Sequence, residues 1–171
     1  MNYFELFEMP VSLQVNRDEV SKKYFELRKK YQLDLSNTEE EEHKEIIEKS
    51  LMIDNGFKIF QDADDTIKYV LQIKGLLEEN ESYELPPDFL MTLTDLSKSM
   101  ADPDILSLEE TATKISQLET QLYQSVQNII ENYSEERTTN GQLLLVKEYY
   151  YKKNSLNSIL ERLEELQNKD S

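Results

Sequence analysis

Between positions 20 and 31 the apolar side chains fall at Val20, Tyr24, Leu27 and Tyr31, the three- and four-residue spacing that collects them on one face of a helix. The spacing predicts one buried stripe, with Lys22 and Lys29 on the opposite face and Lys23, Arg28 and Lys30 along its flanks. Asn16 followed by Glu19 gives a capping-box start for this helix. Ahead of it Tyr3, Phe4, Leu6 and Phe7, closed by Pro10, predict a helix too short to stand alone, which must dock on something. A second long helix is predicted from roughly 39 to 60, where Ile46, Ile53, Phe57 and Phe60 share a face that Ile47 and Leu51 widen. Its acidic first turn suits the positive end of the helix dipole. After the turn QDADD, the residues Ile67, Val70, Leu71 and Ile73 predict a shorter helix, stopped by Gly75.

The stretch LLEENESYELPP is polar and ends in Pro86-Pro87, which predicts a connector over residues 77–86. Helical patterning resumes in DFLMTLTDLSKSMA and halts at Asp102-Pro103-Asp104. Beyond it Ile115, Leu118, Leu122, Val126, Ile129 and Tyr133 form a continuous seam. TTNG supplies a turn, and a last helix carries Leu143, Leu144, Tyr150, Leu156, Leu160 and Leu163. The pattern predicts an all-α chain: a helical hairpin with short helices over residues 1–76, and an antiparallel three-helix bundle over 87–171.

Composition narrows this further. With 3 glycines and 4 prolines in 171 residues, the chain lacks the turn chemistry of an all-β fold. The formal net charge of −16 repels nucleic acid and anionic lipid, so protein partners are expected, with no nucleic acid and no membrane. The charge is uneven: residues 1–35 hold six basic and six acidic side chains, so the whole excess lies beyond them. No cysteine is present, which excludes disulfides, thiolate ligands and cysteine nucleophiles. Glu40 and His43 have the Glu-x-x-His spacing of di-iron bundles, but the chain has a single histidine, and solvated surface is the expected reading of His43. The expectation is a protein with no catalytic residues, no metal and no cofactor. One of the consecutive tyrosines 149–151 is expected to face solvent while the others pack. The start MNYFELFEMP has no cationic, long-apolar leader, and no apolar run reaches the roughly 20 residues of a membrane span, so a soluble, cytoplasmic location is expected.

The opening NYFELFEMP, the basic KKYFELRKKY and the later MIDNGFKIFQDADDTIKYVLQIKG together resemble a J-domain. With LPPDFLM at the start of the bundle, nearly the full chain resembles the HscB family, the J-domain co-chaperones of iron–sulfur cluster assembly. The resemblance implies two partners, a DnaK/HscA-type ATPase chaperone and an IscU-type scaffold protein. It implies chaperone docking through Lys22, Lys23, Arg28, Lys29 and Lys30 and the loop after them, and scaffold binding through Leu90, Met91 and Asp95. Thr94 stands where the family usually has an apolar residue, and Leu90 and Met91 have the alternative reading of bundle core. The chain departs from the family where it matters for chemistry. J-domains carry His-Pro-Asp in that loop, and here the tripeptide is Gln32-Leu33-Asp34. Leu33 neither fixes φ nor restrains its predecessor as proline does, and Gln32 cannot take the charge of a histidine. Stimulation of ATP hydrolysis is therefore expected to be weak or absent. The alternatives are a non-stimulating adaptor for a scaffold or other client, and a structural acidic helical protein.

Overall fold

The computed structural model describes residues 1–32, 39–101 and 104–169, the side chains of 105 and 106 apart, and among these residues every regular element is a helix. Leu33 and Asp34 lie outside the described residues, as do Asp102 and Pro103. The chain divides into two compact units, Met1–Leu77 with Tyr133–Arg137, and Glu78–Asn132 with Thr138–Ser171.

The first unit holds α1 (Tyr3–Leu6), α2 (Arg17–Gln32), α3 (Glu40–Gln61) and α4 (Ala63–Ile73). Four residues form a helix at α1 because Asn2 and Glu5 close a capping box and because its aromatic side chains are covered. Phe4 and Phe7 are fully buried, each against the Phe60 ring at 4.8 and 5.3 Å. The Tyr3 backbone N–H donates to the Tyr69 hydroxyl at 2.9 Å, tying α1 to α4 as well. Gly56 makes the close approach of α1 to α3 possible. A Cβ there would stand 2.9 Å from Phe7 and 3.1 Å from the Tyr3 ring, which explains a helix-interior glycine that otherwise costs about 1 kcal/mol. Asp62 starts α4 by accepting from the Asp65 N–H at 2.9 Å, and Gly75 leaves it at φ 70°.

Asn16 caps α2, its side chain accepting from the N–H groups of Asp18 and Glu19. The expected stripe is only partly buried: Val20 is covered, while Tyr24, Leu27 and Tyr31 are half-buried. On α3 the expected wide apolar face does not form. Ile53 and Phe60 are buried, but Ile47 and Leu51 are 53% and 58% exposed. Among the described residues α3 is packed by α2, α1 and α4. The α2 side chains meet Ser50, Asp54 and Phe57, whereas α1 meets Gly56 and Phe60. None of these contacts covers Ile47 or Leu51.

The second unit is the three-helix bundle, α5 (Pro87–Ala101), α6 (Ile105–Glu131) and α7 (Asn140–Lys169), each packed on the other two. Its core runs through Phe89, Leu96 and Met100 of α5, Leu108, Ile115, Leu122 and Val126 of α6, and Leu143, Val146, Tyr149, Leu156 and Leu163 of α7. Ile130, not Ile129, is the buried member of its pair, since the seam steps by four after Val126. Leu144 is likewise not core but 50% exposed. Asp104 caps α6 by accepting from the Ser107 N–H at 2.6 Å. Thr139 and Gln142 exchange hydrogen bonds at the start of α7, at 3.0 and 3.2 Å.

Residues of the sequence-predicted connector are pinned to α7. Glu81 receives Lys147 Nζ at 2.9 Å and the Tyr151 hydroxyl at 2.7 Å, and the Tyr83 ring stacks on Tyr151 at 4.3 Å. The Tyr151 and Lys147 bonds hold the Glu81 carboxyl below the ordinary carboxylate range. Burial, and then the bond to Glu81, push the Tyr151 phenol well above its usual value.

Candidate functional site

The five basic residues of α2 fall into two groups. Lys22, Lys29 and Lys30 are exposed. Lys23 is paired with Glu8 at 3.4 Å, and Arg28 crosses to α3, donating to the Ser50 hydroxyl and pairing with Asp54 at 3.7 Å. Tyr24 adds to this clamp. Its hydroxyl donates to Asp54 at 3.1 Å and its ring stacks on Phe57 at 4.0 Å. Burial, and then that hydrogen bond, raise the Tyr24 phenol above its ordinary value. So Arg28 and Tyr24 lock the α2–α3 pair, and the lysines are the part of α2 that addresses solvent. Gln32 is the last residue of α2 and is exposed.

The same helix carries a residue that hydrophobic periodicity passes over. Phe25, outside the predicted stripe, is 68% exposed and touches the Tyr24 ring edge-on at 5.5 Å. The signal for it was available: a large aromatic set between lysines at positions 22 and 29, off the buried face.

In the bundle, Leu90 and Met91 are 47% and 66% exposed. The helix turns Phe89, Leu96 and Met100 inward, and adjacent residues differ by about 100° around the axis, so the pair is carried outside the core. Lys152 Nζ sits 5.5 Å from the Phe89 ring and covers it from the α7 side. Asp95 is exposed and lines a cleft of about 330 Å³ with Thr92 and Ser99 of α5 and Lys114, Gln117 and Gln121 of α6. Met91 is one helical turn from Asp95, so the apolar pair and the cleft occupy neighbouring surface of α5. His43 on α3 is half-buried rather than fully solvated. Among the described residues no group of three or more His, Asp and Glu side chains has the arrangement of a metal site, and no helix is long and apolar enough to cross a membrane.

No family model matches the chain. The chain is 34% identical over 77 residues to the co-chaperone protein HscB homolog of Shewanella amazonensis; the alignment covers 44% of this chain and 44% of that protein, less than half its length. With the HscB homolog of Shewanella pealeana it shares 28% identity over 150 residues, covering 86% of this chain and 80% of that one. The fold matches chaperone HscB from Vibrio cholerae with a TM-score of 0.75 at 18% identity, covering 100% of both chains. It matches human co-chaperone protein HscB with a TM-score of 0.78 at 16% identity, covering 98% of this chain and 82% of the human one. Relatives in sequence and neighbours in fold agree: the chain is similar to HscB co-chaperones along most of its length and shares their all-helical fold.

Proposed function

We propose that the chain is a two-sided adaptor without chemistry of its own, working in the cytoplasm, that holds an IscU-type iron–sulfur scaffold on the bundle and docks on a DnaK/HscA-type ATPase through α2. The observation that carries the reading is the Leu90–Met91 pair, held out on α5 at 47% and 66% exposure. Burying two such side chains in a partner supplies about 2 kcal/mol or more each when the site is fully desolvated. Asp95 and the cleft beside it supply polar selectivity next to that apolar anchor. On α2 the exposed Lys22, Lys29 and Lys30 offer a cationic edge to an acidic surface, an attraction that weakens with salt. Tethering the scaffold to the chaperone raises its effective concentration there, which is all that an adaptor has to do.

The substituted tripeptide favours a second reading within the first, an adaptor that docks without driving hydrolysis. Gln32 ends α2 in the place of the family histidine, and Leu33 replaces the proline. Single-turnover ATP hydrolysis by the cognate DnaK/HscA-type chaperone, with scaffold present, separates the two. If only the Gln32→His/Leu33→Pro variant accelerates hydrolysis, the natural chain is a docking adaptor. Equal acceleration by both makes it a stimulating co-chaperone that works through another contact.

A further inference from the structure

We infer that one side of the α2–α3 pair is an apolar docking face, built on Phe25, Ile47 and Leu51, for an acidic amphipathic segment of a partner protein. These side chains are 68%, 53% and 58% exposed, three of the larger apolar residues that the first unit leaves in solvent. Their placement follows from the clamp. Tyr24 meets Asp54 and Phe57, and Arg28 meets Ser50 and Asp54, so α2 and α3 run antiparallel with those side chains at the seam. Phe25 is one residue after Tyr24 and three before Arg28, and Leu51 is one after Ser50 and three before Asp54. In an antiparallel pair, equal offsets of about 60° from Arg28 on one helix and from Asp54 on the other turn towards the same side. Ile47 is one turn from Leu51 and continues that line. The Arg28–Asp54 pair lies between the two helices' apolar residues, its charges answering each other.

Charge complementarity selects the occupant. Lys22 and Lys29 flank Phe25 at three and four residues, and Lys44 precedes Ile47 by three; all three lysines are exposed. The helix α2 carries six basic against three acidic side chains in a chain of net charge −16. Glu40 and Glu48 border the α3 end of the face, so the partner's acidic residues belong over α2 and its apolar ones between Phe25 and Leu51. An aromatic centre with a charged rim is the arrangement of a protein–protein hot spot. An anionic membrane would also meet lysines and a phenylalanine, but the whole chain's charge opposes approach to it.

The inference rests on the proposal that α2 docks on the ATPase, and adds that part of this docking is apolar and survives salt. The test is calorimetric titration of the full chain with its DnaK/HscA-type ATPase at low and high salt. Phe25→Ser/Leu51→Ser should weaken binding at least about tenfold at both salt concentrations, leave the salt dependence unchanged and make the heat-capacity change of binding less negative. Lys22→Ala/Lys29→Ala should instead flatten the salt dependence and preserve the heat-capacity change. Thermal unfolding of both variants should match the natural chain, since all four residues are exposed; if the apolar double variant unfolds, Phe25→Ser alone carries the test. An apolar variant that binds like the natural chain, beside a weakened lysine variant, overturns this inference and leaves lysine docking standing. No binding by the natural chain overturns both. Loss of sedimentation with phosphatidylserine vesicles in the apolar variant, with ATPase binding intact, overturns it in favour of lipid.

Discussion

The helices α2 and α5, the two faces proposed to meet partners, are held in place by different means. In α2 a single residue, Val20, is buried, and the helix is fixed largely by the polar clamp of Tyr24 and Arg28 on Ser50 and Asp54. In α5 three residues, Phe89, Leu96 and Met100, are buried and fix the helix by packing. The consequence is a different currency of recognition. Helix α2 shows solvent a cationic edge around one aromatic ring, while α5 shows an apolar pair beside a polar cleft. Salt and charge reversal act on the first, together with loss of its exposed ring; on the second, loss of apolar area acts without salt dependence.

The largest effect is expected from removing the packing behind α3. Phe4 is fully buried between Phe60 and Tyr69, and Phe4→Ala should cost the first unit about 3–5 kcal/mol in chemical denaturation, leaving the bundle's own transition in place. Next in size is recognition by α5. Leu90→Ser/Met91→Ser should weaken scaffold binding by about 2–4 kcal/mol with unchanged thermal unfolding, because neither residue is core. Smaller is the pinned connector. Glu81→Gln should cost the bundle about 1–2 kcal/mol at neutral pH, as a partly exposed, charge-assisted site. The Glu81 carboxyl is depressed in the folded chain, so its contribution is complete above the ordinary carboxylate range and disappears as pH falls through the lowered folded value. Between the natural chain and the variant, the stability difference measured by urea titration should shrink in that acid window. Smallest is the lysine edge. Lys22→Ala/Lys29→Ala should change ATPase binding by about 1 kcal/mol at low salt and by less at high salt.

The sequence makes the elements legible because the helices are long and periodic. The span predicted from about 39 to 60 is observed as Glu40–Gln61, and the capping residue Asn16 is where the spacing puts it. What periodicity does not carry is which side of an amphipathic helix finds a neighbour. Ile47, Leu51 and Leu144 look like core in the pattern yet face solvent, because covering them depends on where other helices lie. The same limit applies to the site. Lys23 and Arg28 are indistinguishable from Lys22 and Lys29 along the chain, but Glu8 and Asp54, 15 and 26 residues away, engage them. The Glu81–Lys147–Tyr151 network joins residues 66 and 70 positions apart and has no local signature.

If the two faces serve two partners at once, as proposed, sedimentation velocity of the full chain with the ATPase and the scaffold resolves it. The natural chain should give a three-component boundary. With Leu90→Ser/Met91→Ser only the ATPase should co-sediment, and with Phe25→Ser/Leu51→Ser at high salt only the scaffold should. Scaffold that displaces the ATPase from the natural chain, or a three-component boundary indifferent to Leu90 and Met91, would contradict it.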